Sequence, residues 1–248
     1  ADIPVDQAYV LFTLGKMEEA LERMGQARAL GVNSAFLSLV ESLVLGAQGR
    51  LDQAKAVLGT PQEHTPSYSL SSMLFLAHAT GDQPLLDALE NHAQNNMPNY
   101  FAEFTLARIL AYRGEFQGLE DLIRKREETV EQVISAGRDP SGPMSDLIEL
   151  YAFLGDEKRL NEMVNRFDTE LKPDFMRPAE TGSIIPTAFA IIGDIDTAMD
   201  RANAVAEQFG IWTFWNYHFN PAFEPFQDHP RYRALDDRYL AWLKEQKS

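Results

Sequence analysis

Six glycines divide this chain of 248 residues into near-equal units: Gly15, Gly49, Gly81, Gly114, Gly155 and Gly193, spaced by 34, 32, 33, 41 and 38 residues. Each follows an apolar run of helical period, and a second such run begins almost at once. Five residues after each glycine stands Ala20, Ala54, Leu86, Leu119, Leu160 or Ala198, and four before it stands Leu11, Leu45, Ala77, Leu110, Tyr151 or Phe189. A period near 34 with two helices per unit constrains the chain to stacked helical hairpins, because one hairpin cannot bury its apolar face alone. The expectation is an all-α superhelical solenoid of about six antiparallel hairpins over residues 1–210. A distinct segment, 211–248, follows it.

Local signals agree with this division. Met17 to Leu30 places Ala20, Leu21, Met24 and Ala27 at helical spacing. Gly31 suits a left-handed C-terminal cap, and Ser34 suits an N-cap. Gly81-Asp82, Gly155-Asp156 and Gly193-Asp194 pair a helix-ending glycine with a carboxylate that accepts from the free N–H groups of the next helix. In the fourth unit the second helix reads as Glu115 to Ala136, ended by a linker, Gly137 to Pro143. A further loop, Lys172 to Gly182, carries Pro173 and Pro178. Past Ile211 the aromatics Trp212, Phe214, Trp215, Tyr217, Phe219 and Phe223 crowd together, before a last helix from Tyr232 to Glu245. A solenoid must seal its exposed end, so Trp212, Trp215, Phe219 and Phe223 are expected to be buried as a cap on the last hairpin.

The repeat resembles the tetratricopeptide repeat (TPR) family over about residues 6–206. Ala8, Ala107, Ala20, Ala54 and Ala198 fall where that family packs small residues between paired helices, whereas Leu74, Ile148 and Pro186 are larger than it prefers. The run Pro221 to Tyr232 is similar to endings that close TPR segments of certain bacterial regulators and cyclase-linked proteins. The resemblance implies an interaction or sensor segment of a bacterial regulatory protein. The compartment stays open between cytoplasm and periplasm, with the family's architecture leaning to the periplasm. The chain starts at Ala1 without Met and is expected to be a processed or excised piece.

In that family the first helix of each hairpin lines the concave face. Counting ten, six, three and two residues back from the glycines selects Tyr9, Phe12, Leu43, Phe75, His78, Phe104, Arg108, Tyr112, Glu149 and Phe153 as groove residues. Aromatic anchors around a lone Arg108 resemble a peptide-binding hot spot. The expected partner is a peptide, a protein segment or a small ligand. Arg108 is expected to serve binding rather than stability. Homo-oligomerisation through an exposed terminal repeat is the runner-up among binding modules.

Other chemistry has little support. A net charge of −15 opposes binding to phosphate backbones. The one basic run, Arg124-Lys125-Arg126, precedes Glu127 and Glu128 and reads as a solvated helix face. There is no cysteine, so no disulfide or thiolate chemistry is available. No two of His64, His78, His92, His218 and His229 stand at i, i+4, and no metal or cofactor motif is present. The carboxylates from Asp194 to Asp200 read as an acidic helix start rather than a calcium loop. No apolar run reaches the length that spans a bilayer. The competing class is a hydrolase or lyase on a helical scaffold, which would show a closed cavity with converging titratable groups where a scaffold shows an open groove.

Overall fold

The computed structural model describes residues 3–63, 68–97, 99–170 and 184–246. The described residues are helical, with no strand among them. Helices pair across the six glycines: α1 (Ile3–Thr13) with α2 (Met17–Ala29), α3 (Ala35–Ala47) with α4 (Leu51–Leu58), α5 (Tyr68–Thr80) with α6 (Gln83–Asn96). The series continues with α7 (Asn99–Tyr112) and α8 (Leu119–Ser135), α9 (Ser141–Phe153) and α10 (Glu157–Glu170), α11 (Ile184–Ile191) and α12 (Ile195–Phe209). A 3₁₀ turn (Ile211–Phe214), the short α13 (Trp215–His218), a second 3₁₀ turn (Pro221–Phe226) and α14 (Pro230–Glu245) complete the chain. Among the described residues no helix is long and apolar enough to cross a membrane.

One hydrogen-bonding motif makes the six turns. Every repeat glycine has positive φ, between 63° and 86°. In each case the N–H after the glycine donates to the carbonyl of the residue four before it, as in Lys16 to Leu11, Arg50 to Leu45 and Asp194 to Phe189, at 2.8–3.0 Å. This is a Schellman cap, in which the reversed residue lets the chain satisfy a helix-end carbonyl and turn back at once. Asp82, Asp156 and Asp194 then accept from the N–H groups of Leu85, Arg159 and Thr197. The residue five after each glycine, from Ala20 to Ala198, is buried. Leu74, Ile148 and Pro186, large for their positions, are buried as well, so the core accommodates them.

The fourth unit departs from expectation. Its second helix begins at Leu119, after Phe116 and a left-handed Gly118 (φ 88°), rather than at Glu115. The expected 137–143 linker is shorter too. Asp139 Oδ1 accepts from the Ser141 N–H at 2.9 Å, and α9 starts there with Pro143 in its first turn, where proline is tolerated. The 172–182 loop lies outside the described residues.

The odd-numbered helices α1, α3, α5, α7, α9 and α11 form one row, each packing on the next. Trp212, Trp215 and Phe223 are buried and Phe219 is half-buried, but they do more than cap the last pair. The C-terminal segment packs on α11 and α12 and also reaches back to the first units. The Trp212 ring lies 4.6 Å from that of Phe12 on α1, and Trp215 meets Phe75 on α5 edge-on at 5.3 Å. The buried Tyr239 hydroxyl donates to the Ala47 carbonyl at the end of α3 (2.9 Å). Arg231 pairs with Asp196 and Asp200, so the acidic start of α12 also anchors this segment. One core cluster therefore runs from α1–α3 through the C-terminal segment into α7–α12, and a second joins α3 to α7.

Close approach explains a glycine in mid-helix. A Cβ on Gly46, inside α3, would lie 2.7 Å from Cζ3 of Trp215. Ala in place of Gly in a helix interior is ordinarily worth about 1 kcal/mol of stability. Here Gly46→Ala should lower the melting temperature instead, and tryptophan emission should shift to the red as Trp215 is pushed out. A rise in melting temperature with unchanged emission would show that the indole does not bear on α3.

Candidate functional site

A cavity of about 390 Å³ lies between the odd-numbered helices and α13. Its walls follow a rule along the repeats. The residues six and ten before the glycine line it in the second to fifth units: Leu43 and Leu39, Phe75 and Ser71, Arg108 and Phe104, Glu149 and Ser145. Positions four apart on a helix share a face, so two residues per unit repeat around the cavity. Asp146 lies beside Ser145, and Trp215 and Asn216 close the remaining side.

Arg108 is not a solitary charge. Its Nε donates to Glu149, 3.0–3.1 Å from both carboxylate oxygens, and its Nη2 donates to the Tyr112 hydroxyl at 2.9 Å. That hydroxyl in turn donates to Glu149 Oε1 at 3.1 Å. Burial and the neighbouring Glu149 charge hold the Tyr112 phenol well above its ordinary range, so it stays protonated. His78 stacks flat on the Tyr112 ring (3.9 Å, 8°), and Phe153 meets the same ring edge-on at 5.5 Å. Arg108, Tyr112, Glu149, His78 and Phe153 are thus one network, in which Arg108 and Glu149 face the cavity and the others stand behind them.

A second pair lies alongside. Arg126, expected on a solvated face, turns inward from α8 and is buried, 3.1 Å from Asp146, while Arg124 stays exposed. Its guanidinium lies 5.2 Å from the Phe104 ring centroid and that of Arg108 lies 5.5 Å from it, which are cation–π distances. Burial pushes the Asp146 carboxyl up to about 7, aided by the Glu149 charge and opposed by Arg126 and Arg108.

The remaining groove candidates fall elsewhere. Phe12 is fully buried beneath Trp212, and so is closed to any partner. Tyr9 is half-buried at the outer end of the row, 5.8 Å from Phe36. Neither lines the cavity. Sequence reasoning passed over Ser42, Ser71, Ser145, Asp146, Trp215 and Asn216, which do. Ser71 and Ser145 obey the ten-before rule and were findable from it. Trp215 and Asn216 carried no such signal. Among the described residues no three His, Asp or Glu side chains converge as a metal-ligand set. No protein-family model and no curated protein matches the chain.

Two predictions follow from this network. Removing Arg108 leaves Glu149 buried without its counter-charge, so Arg108→Ala should cost about 3–5 kcal/mol of stability in denaturant unfolding, against the expectation that the residue serves binding alone. An unchanged midpoint would return it to a purely binding role.

The second concerns pH. Burial, with the Arg108 charge, lowers the His78 pKa from 6.5 to about 4. Between these values the unfolded chain takes up a proton that the folded chain refuses. The contribution of His78 is therefore complete above pH 6.5 and is lost as pH falls towards 4. Asp146 has the opposite sign: its raised pKa makes the folded chain hold a proton that the unfolded chain releases, so lowering pH through 7 favours folding. His78→Phe keeps the stacked ring and removes one of the two opposing effects. The stability of the wild type relative to the variant should then fall on acidification from pH 6.5 to 4, by on the order of 2–3 kcal/mol. Parallel pH curves would contradict the assignment.

Proposed function

We propose that this chain is a non-enzymatic binding or sensing module of the TPR type, from a bacterial regulatory protein, and that it takes a small ligand into the cavity. The glycine period, the six identical helix caps and the continuous row of first helices support a TPR-like superhelical array. The observation that carries the ligand reading is the cavity itself. It falls within the range of roughly 300–1,000 Å³ typical of small-molecule sites, and apolar rings alternate there with a few fixed polar groups.

A bound peptide is the weaker reading, because the chain's own C-terminal segment already covers part of the face a peptide would use. Phe12 lies under Trp212 and Phe75 against Trp215.

A second reading rests on Asp146. A carboxyl held near 7 in a cavity is suited to general acid–base work, as the hydrolase or lyase alternative requires. Its ion pair with Arg126 and that of Glu149 with Arg108 favour the binding reading, since both carboxylates already have a structural partner.

A thermal-shift screen of the whole chain against mixed small metabolites and peptides tests these readings. At least one small compound should raise the melting temperature. The shift should vanish in Ser145→Leu and in Ser71→Phe, which fill the cavity from α9 and from α5. Binding of peptides alone, with no small compound raising the melting temperature, would overturn the small-ligand reading. Conversion of a bound compound to product, abolished in Asp146→Asn, would overturn the non-enzymatic one.

A further inference from the structure

The cavity wall carries hydrogen-bonding groups that the protein itself does not use. Ser42 on α3 and Ser145 on α9 are 2% and 4% exposed and line the cavity, yet neither hydroxyl hydrogen-bonds another described residue. Neither oxygen is sealed in the core: both are open to the cavity, so each hydroxyl can donate to and accept from whatever fills that space. Asn216 donates its Nδ2 to the Thr213 carbonyl at 3.3 Å, which leaves its amide oxygen to accept. Hydroxyls and an amide oxygen together ask for a ligand that both donates and accepts at several points around its edge.

The ion pairs of the wall weigh against the ionic candidates, an anion most of all. Arg108 already spends Nε on Glu149 and Nη2 on Tyr112. An anionic ligand would therefore meet no free guanidinium fork, and it would face Glu149 and Asp146 as well. A cationic ligand would need a carboxylate without a counter-charge. Glu149 has Arg108 and Asp146 has Arg126, whereas Asp139 at the start of α9 accepts one backbone N–H through Oδ1 and makes no ion pair among the described residues, so a cation is the charged candidate that the test must separate. An apolar ligand would strip water from Ser42 and Ser145 and return nothing. Phe75, Phe104 and Trp215 meanwhile add aromatic surface to the same wall.

Building on the small-ligand reading above, we propose that the cavity is made for an uncharged polyhydroxylated ring, a saccharide or cyclitol of one or two rings. Its hydroxyls exchange hydrogen bonds with Ser42, Ser145 and Asn216, and its C–H faces pack on the aromatic rings.

The test uses the whole chain and probes that share one skeleton, so that charge is the variable. These are glucose, glucuronate and glucosamine, with myo-inositol, maltose and trehalose as further neutral probes and indole as an apolar one. Binding is read by calorimetry and thermal shift. At least one neutral probe should bind, with its charged relatives at least tenfold weaker. Ser42→Ala and Ser145→Ala should each weaken that binding about 5- to 15-fold while the unliganded melting temperature stays level, because neither hydroxyl bonds another described residue. A purely structural role for these serines would lower the melting temperature and is excluded by that pattern. Tighter binding of glucuronate, glucosamine or indole, abolished by Ser145→Leu, would overturn the ligand class and leave the cavity reading standing. If no neutral probe binds, the class is wrong, and if no compound in the broader screen binds either, the cavity reading fails with it.

Discussion

The Trp215 indole, seated on the bare backbone of Gly46, holds the two ends of this sequence together. It also contributes to the cavity wall, and it meets the Phe75 ring edge to face. Without it the odd-numbered helices would present an open, partly apolar face to solvent, and α3 would lose the partner that its glycine is shaped to receive. Trp212 against Phe12 and Gly15, Phe219 against Gly49, and the Tyr239–Ala47 hydrogen bond extend the same contact across the first two helix pairs. Aromatic rings suit this task. They bury large areas at small entropic cost and tolerate close approach where a side chain is missing.

Behind that seal, charge is managed by pairing. The chain as a whole carries −15, yet the cavity wall sets a guanidinium against each of its two deeply placed carboxylates, Arg108 against Glu149 and Arg126 against Asp146. Buried pairs of this kind add little net stability, but losing one partner is costly, so they fix geometry more than they strengthen the fold. His78, kept neutral and stacked on Tyr112, belongs to the same scheme. A second positive charge beside Arg108 would disrupt it.

What was legible in the sequence was local. The six glycines, the capping residues and the helix pairs are set by hydrogen bonds that span at most five residues, and these leave clear traces in residue type. The four cavity-facing positions six before each glycine were reached through the resemblance to the TPR family, whose first helices line the concave face, with helical period supplying the register. The closing contact was not readable, because Tyr239 and Ala47 are 192 residues apart and nothing in the composition of either says that they meet. That is why Phe12 read as a groove residue and is instead covered, and why the aromatic tail read as an end cap rather than a bridge. Arg126 was misread because its neighbours Arg124 and Lys125 do face outward, and helical period turned only the third member of the run inward. Ser42 and Ser145 went unremarked because a serine carries no signal until its surroundings are known.

The central claim is that helices from four separate units and the C-terminal segment enclose one ligand site. Hydrogen–deuterium exchange along the whole chain, with and without a saturating neutral saccharide, tests it most directly. The account predicts added protection confined to residues 39–43, 71–76, 104–108, 142–149 and 211–219, which are remote in sequence and meet only at the cavity. Protection centred on the outer helices α2, α4 and α6, or no change anywhere, would contradict it.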